Sequence, residues 1–173
     1  MANDFNEPIS LFITWTTYGS WLPGDSRGWR KWMRGERLPQ PLLEDWCRDR
    51  MTEKPVRLDA LQRQAVEEVV REHAEHRGWV LHAVSARSNH VHVAVTVVPK
   101  MSQAGSRVAD GVKRVRDELK ANATRVLRRL ERPVHNEKVW TKGGDIQVVE
   151  TNDDLEQVVI YIQEAQDRMG RDE

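Results

Sequence analysis

The chain has 173 residues, 39% apolar and 31% charged, with 27 Lys and Arg balanced by 27 Asp and Glu. That is enough chain to bury one core without staples, and too apolar for intrinsic disorder. Charges interrupt every apolar run well short of a membrane span, and the single cysteine, Cys47, excludes both an internal disulfide and a thiolate zinc cluster.

The start, MANDFNEPIS, lacks the basic segment and apolar core of a signal peptide, so a cytoplasmic, soluble, single domain over residues 1–173 is expected. SLFITWTT, Ser10 to Thr17, is rich in β-branched and aromatic residues and predicts a strand. An insertion over 18–56 then breaks all periodicity, with Gly and Pro throughout and Trp21, Trp29, Trp32 and Trp46 among Arg and Lys. So long a loop needs pinning. Most of these tryptophans are expected to be buried in a small satellite core, one or two being left for base stacking beside Arg. A short helix is expected around Leu42 to Asp49.

Leu58 to Arg77 carries Leu58, Leu61, Ala65, Val66, Val69, Val70 and Ala74 at near-helical spacing, with Asp59 early and Gly78 as the stop. Trp79 to Ala86 and His90 to Val98 predict two strands joined as a hairpin through Arg87-Ser88-Asn89. Ser102 to Leu130 predicts a helix starting near Ser106. From Lys113 to Arg132 there are eight basic residues against three acidic, whereas from Glu150 to Glu173 eight acidic residues face Arg168 and Arg171. A basic helix on a neutral chain draws phosphate only locally, screening confining its field to roughly 10 Å. A solvated helix face explains such a run equally well. Asp145 to Glu150 predicts a last strand after Gly143-Gly144, and Thr151 or Asn152 caps a final helix, 152–169. Without the insertion and the last helix the order is β-α-β-β-α-β. That predicts an α+β fold: a ferredoxin-like antiparallel sheet with helices on one face and the other face open.

His90-Val91-His92-Val93-Ala94-Val95-Thr96-Val97 is the most informative segment. Strand alternation puts the four valines on one face and sends His90 and His92 together to the other, with Ala94 and Thr96 leaving space beyond. Paired neutral imidazoles can share a divalent ion or hold a phosphate. Tyr161, on the last helix, is either a half-buried amphipathic ring or a phenolic nucleophile, which needs help at neutral pH. His73, His76, His82 and His135 lack partners at ligand spacing, and Lys142-Gly143-Gly144 reads as a turn or a backbone phosphate contact.

Ser88-Asn89-His90-Val91-His92, followed late by Tyr161 in a helix, resembles the single-tyrosine HUH transposases. The opening Thr14-Trp15-Thr16-Thr17-Tyr18-Gly19-Ser20-Trp21-Leu22-Pro23-Gly24-Asp25 is similar to a segment of the branch associated with repetitive extragenic palindromes. The resemblance implies metal-dependent cleavage and rejoining of single-stranded or hairpin DNA, with Tyr161 attacking the scissile phosphate to give a 5′-phosphotyrosine and a 3′-hydroxyl. It implies that His90 and His92 hold Mg²⁺ or Mn²⁺. It also implies a homodimer in which the tyrosine helix completes a site, either in cis or in trans. The family's usual third ligand, a Gln or Asn four residues after the tyrosine, is replaced here by Ala165. Glu164 and Gln166 are the alternatives, water or DNA filling the place otherwise. Lys113, Arg114, Lys120, Arg125 and Arg128 are the candidate phosphate contacts. A catalytically silent hairpin-DNA-binding protein and a replication or mobilisation initiator are the competing functions.

Overall fold

The valine row folds as its alternation predicts: Val91, Val93, Val95 and Val97 are all buried. The computed structural model describes residues 7–26, 29–30, 36–98 and 107–165. Its main sheet contains β1 (Ile9–Thr16), β4 (Val80–Ala86), β5 (His90–Val97) and β6 (Asp145–Val149), in the order β4-β5-β1-β6 and antiparallel throughout. The short β2 (Trp29–Arg30) and β3 (Glu36–Arg37) pair within the insertion, and α1 (Pro41–Asp49) follows them. Thus the expected short helix is present.

One face of the sheet is the core. Leu11, Ile13 and Trp15 of β1 join the β5 valines against Val66, Val70 and Ala74 of α2 (Ala60–Arg77) and Val112, Val115 and Leu119 of α3 (Val108–Leu127). Helix α2 starts two residues later than Leu58, because Asp59 is its cap. The Asp59 carboxylate accepts from Gln62 N at 2.8 Å, and the Gln62 side chain accepts from Asp59 N at 2.9 Å. Gly78 ends the helix at φ 68°, the left-handed conformation that glycine adopts without Cβ strain. Leu61, placed on the apolar face by its spacing, is exposed, whereas Leu58 is buried ahead of the helix. The expected start of α3 near Ser106 lies outside the described residues.

The opposite face is covered in part by the last helix. Helix α4 (Asn152–Ile160) begins at Thr151, whose hydroxyl accepts from Asp154 N, and it widens into a single π turn at Tyr161–Ala165. Ile162 is fully buried on Ala83 and Ala94, with Phe12, Leu155, Val158 and Val159 around it. The space beyond the histidines is therefore a socket for this side chain. No described helix is long and apolar enough to cross a membrane.

Helix α3 and its basic run lie with α2 on the core side of the sheet. Lys113, Arg114 and Arg125 are exposed there, Arg125 donating to Asn122 Oδ1. Arg128 donates to the carbonyls of Asn136 and Glu137. Lys120 is turned inward: Nζ donates to Thr141 O at 2.8 Å and to Gly143 O at 2.6 Å, while Arg116 donates to Gly144 O. Lys142-Gly143-Gly144 is thus a clamped turn. Gly144 has no alternative, since a Cβ there would meet Thr14 O at 2.8 Å.

Burial pulls the Lys120 pKa from 10.5 to about 8, Arg116 pushing the same way and Asp117 opposing. Between about pH 8 and 10.5 the unfolded chain holds this proton and the folded chain releases it. Stability from this site therefore rises with pH across that window. Urea unfolding of the wild type and of Lys120→Met should show their difference moving in favour of the wild type from pH 8 to 10. A difference that is flat with pH would mean that Lys120 titrates normally.

Candidate active site

Strand register builds the site one row at a time. His92 lies opposite Thr14 on β1 and Ser85 on β4, and Thr14 lies opposite Asp145 on β6. His90 lies opposite Thr16, and the Arg87 N–H donates to His90 O to close the hairpin. Arg87 therefore starts on the same face as the histidines. The two imidazoles stand edge to face with centroids 4.7 Å apart.

Each ring is held at Nδ1. His90 Nδ1–H donates to Asn89 Oδ1 at 2.6 Å, since an amide oxygen can only accept. His92 Nδ1 shares a hydrogen bond with Thr14 Oγ1 at 2.7 Å. His92 is buried and His90 is half-buried, so the pair lies at the edge of the covered part of the face. Asn89 is itself buried, its carbonyl accepting from Thr17 N, Thr17 Oγ1 and Ser20 Oγ. Sequence reasoning singled out the histidines but missed Asn89 and Thr14. The local signal for Asn89 was its amide one residue before His90, whereas Thr14 needed the β1–β5 register.

Tyr161 arrives from the far end of the chain. Its ring lies edge-on to His92 at 5.7 Å between centroids and to Phe12 at 6.1 Å, and Phe12 also packs on His92 at 5.3 Å. A single chain thus brings the tyrosine to its own histidine pair.

Residues 50–165 match the family model described as transposase IS200 like. The chain belongs to the IS200-like transposase family. No curated protein matches it in sequence. Among solved structures, the REP-associated tyrosine transposase bound to a REP hairpin is 12% identical at a TM-score of 0.52, over 99% of this chain and 74% of that one. At that identity the likeness establishes the α+β fold. A candidate transposase from Deinococcus radiodurans R1 is 12% identical at a TM-score of 0.45, over 94% of this chain and 95% of that one.

The third-ligand question turns on the π turn of this IS200-like transposase. The case for Glu164 assumes α-helical spacing from Tyr161, whereas the turn from Tyr161 is wider, its hydrogen bonds spanning five residues. Glu164 is exposed, and among the described residues no group of three His, Cys, Asp or Glu could hold a metal. Gln166 lies outside the described residues. The remaining histidines include two with structural partners: His73 bonds Glu118 and Asn122 between α2 and α3, and His82 bonds Thr96.

Proposed function

We propose that this chain cleaves and rejoins single-stranded DNA through Tyr161. The observation that carries the reading is the contact of the Tyr161 ring with His92 within one chain, beside a second histidine whose Nδ1 is held by Asn89. In the forward step Tyr161 Oη loses its proton and bonds to the scissile phosphorus. The bond from phosphorus to the 3′ oxygen breaks, and that oxygen takes up a proton as a free 3′-hydroxyl. The 5′ phosphate remains on the tyrosine, which stores the bond for rejoining without a nucleoside triphosphate.

His90 and His92 fit a divalent ion, because both rings have Nδ1 committed to a neighbouring oxygen. Two imidazoles suit Mn²⁺ better than the harder Mg²⁺. The remaining ligands would be oxygens from water, the phosphate, Glu164 or Gln166. Such an ion would polarise the phosphate and offset its developing charge. The rings of His92 and Phe12 against Tyr161 hold the nucleophile in place.

Single-stranded or hairpin DNA is the substrate this reading implies, and the protein's place is with DNA in the cytoplasm. The cis arrangement supports a site complete in one chain, a homodimer then pairing two such sites. Exposed Lys113, Arg114 and Arg125 would serve DNA only along the opposite side of the sheet.

The deciding test mixes the protein with labelled strands covering the hairpins that flank its gene, with Mn²⁺ or with EDTA, on denaturing gels. A metal-dependent, protease-sensitive shifted band is expected. Salt-sensitive binding with no such band would favour the catalytically silent alternative, and cleavage confined to a replication origin the initiator. Asn89→Ala should weaken Mn²⁺ binding roughly 10–100-fold, read by titration calorimetry, because it frees the His90 ring and its tautomer. Unchanged affinity would remove Asn89 from this role.

A further inference from the structure

The insertion after β1 is anchored at both ends on the histidine hairpin. At its start Thr17 N, Thr17 Oγ1 and Ser20 Oγ donate to Asn89 O at 2.9, 3.2 and 3.2 Å. At its end Leu58 N donates to Ser88 O at 2.8 Å, and Val56 N donates to Tyr18 O at 2.9 Å. Both anchors lie on the turn that carries His90, and helix α1 of the insertion buries none of its residues.

On α1, Trp46 is 53% exposed. The Arg50 guanidinium lies 3.7 Å from the centroid of its ring and is held there by an Arg50 Nη1 bond to Trp46 O at 3.2 Å. Arg48 is satisfied by Glu44 and Asp45, whereas no described carboxylate pairs with Arg50. The indole is thus exposed with a cation fixed over its ring. A guanidinium beside the ring supplies a cation next to a stacking surface, the combination that holds unpaired bases together with their phosphates.

We propose that Trp46 and Arg50 form a stacking site for one unpaired nucleobase on the strand that leaves the tyrosine site. This rests on the strand-cleavage reading for its DNA partner. A second copy of the chain is the weaker occupant. The exposed large apolar side chains described in this region, Leu38, Leu42 and Trp46, fall far short of the roughly 800 Å² per partner of a stable protein interface.

The test measures binding of a gene-flanking hairpin with and without its single-stranded flank, and repeats it with each flank base replaced in turn by an abasic site. Trp46→Ala should weaken binding of the flanked hairpin about tenfold, and Trp46→Phe much less. One abasic position should weaken the wild type by the same factor and the alanine variant no further. Circular dichroism should show both variants folded, since the ring is on the surface. Equal losses on flanked and trimmed hairpins, or losses additive with every abasic site, would overturn the stacking site. So would a Trp46→Ala chain that changes its mass in light scattering, because the face would then join two copies. Covalent adduct is scored in the same wild-type samples. Adduct without coupling defeats only the stacking site, whereas coupling without adduct supports it and defeats the cleavage reading.

Discussion

Tyr161→Phe is expected to abolish the covalent DNA adduct, lowering strand cleavage at least about a thousandfold. The change removes one oxygen and leaves the ring that packs on Phe12 and His92. The thermal midpoint should therefore stay within a degree or two of the wild type, because no buried apolar surface is lost. Cleavage gels and a melting curve on one preparation test both halves. Adduct formation by the phenylalanine variant would place the nucleophile elsewhere, since Tyr18 is the only other tyrosine in the chain. Tyr18 sits in the insertion, its hydroxyl accepting from Thr52 N, and its replacement should leave the adduct intact.

The second large effect is expected at Ile162, next to the nucleophile. Its fully buried side chain fills the socket made by Ala83 on β4 and Ala94 on β5. Ile162→Ala removes about 2–5 kcal/mol of packing from that contact. The small cluster around Ile162 is separate from the main core of β1, β5, α2 and α3. The loss should consequently appear as undocking of α4 before global unfolding. Cleavage should fall about a hundredfold as Tyr161 loses its position, while hydrogen exchange accelerates over 152–165 and stays slow in β5. Ala94→Leu should do the same from the other side by overfilling the socket. Unchanged cleavage in both variants would show that the tyrosine is positioned without this contact.

The two effects differ in kind. Tyr161→Phe removes a reacting atom from an intact site, whereas Ile162→Ala leaves every reacting atom in place and loosens its support. Adding back binding energy through a longer DNA strand should therefore rescue part of the second defect and none of the first.

Periodicity decided what is local in this protein. Alternation over His90–Val97 fixed which side chains enter the core and sent the histidines out together, because a strand has only two faces. Gly78 marked the end of α2 in the sequence, since a helix stop is satisfied within a few residues, whereas its start moved two residues past Leu58, behind the Asp59 cap. The motif order from Ser88 to Tyr161 pointed to the transposase family that residues 50–165 match.

Tertiary structure decided the rest. The contact of Tyr161 with His92 depends on Ala83, Ala94 and Ile162, which stand on three separate elements, and no local period relates them. Lys120 reads as one more cation in a basic run. It becomes a clamp because a loop over twenty residues later brings two carbonyls to its ammonium. Likewise composition carries no mark of the wide turn at Tyr161. Side-chain direction is written in short-range spacing, whereas the meeting of distant elements is set by the shapes they present once folded.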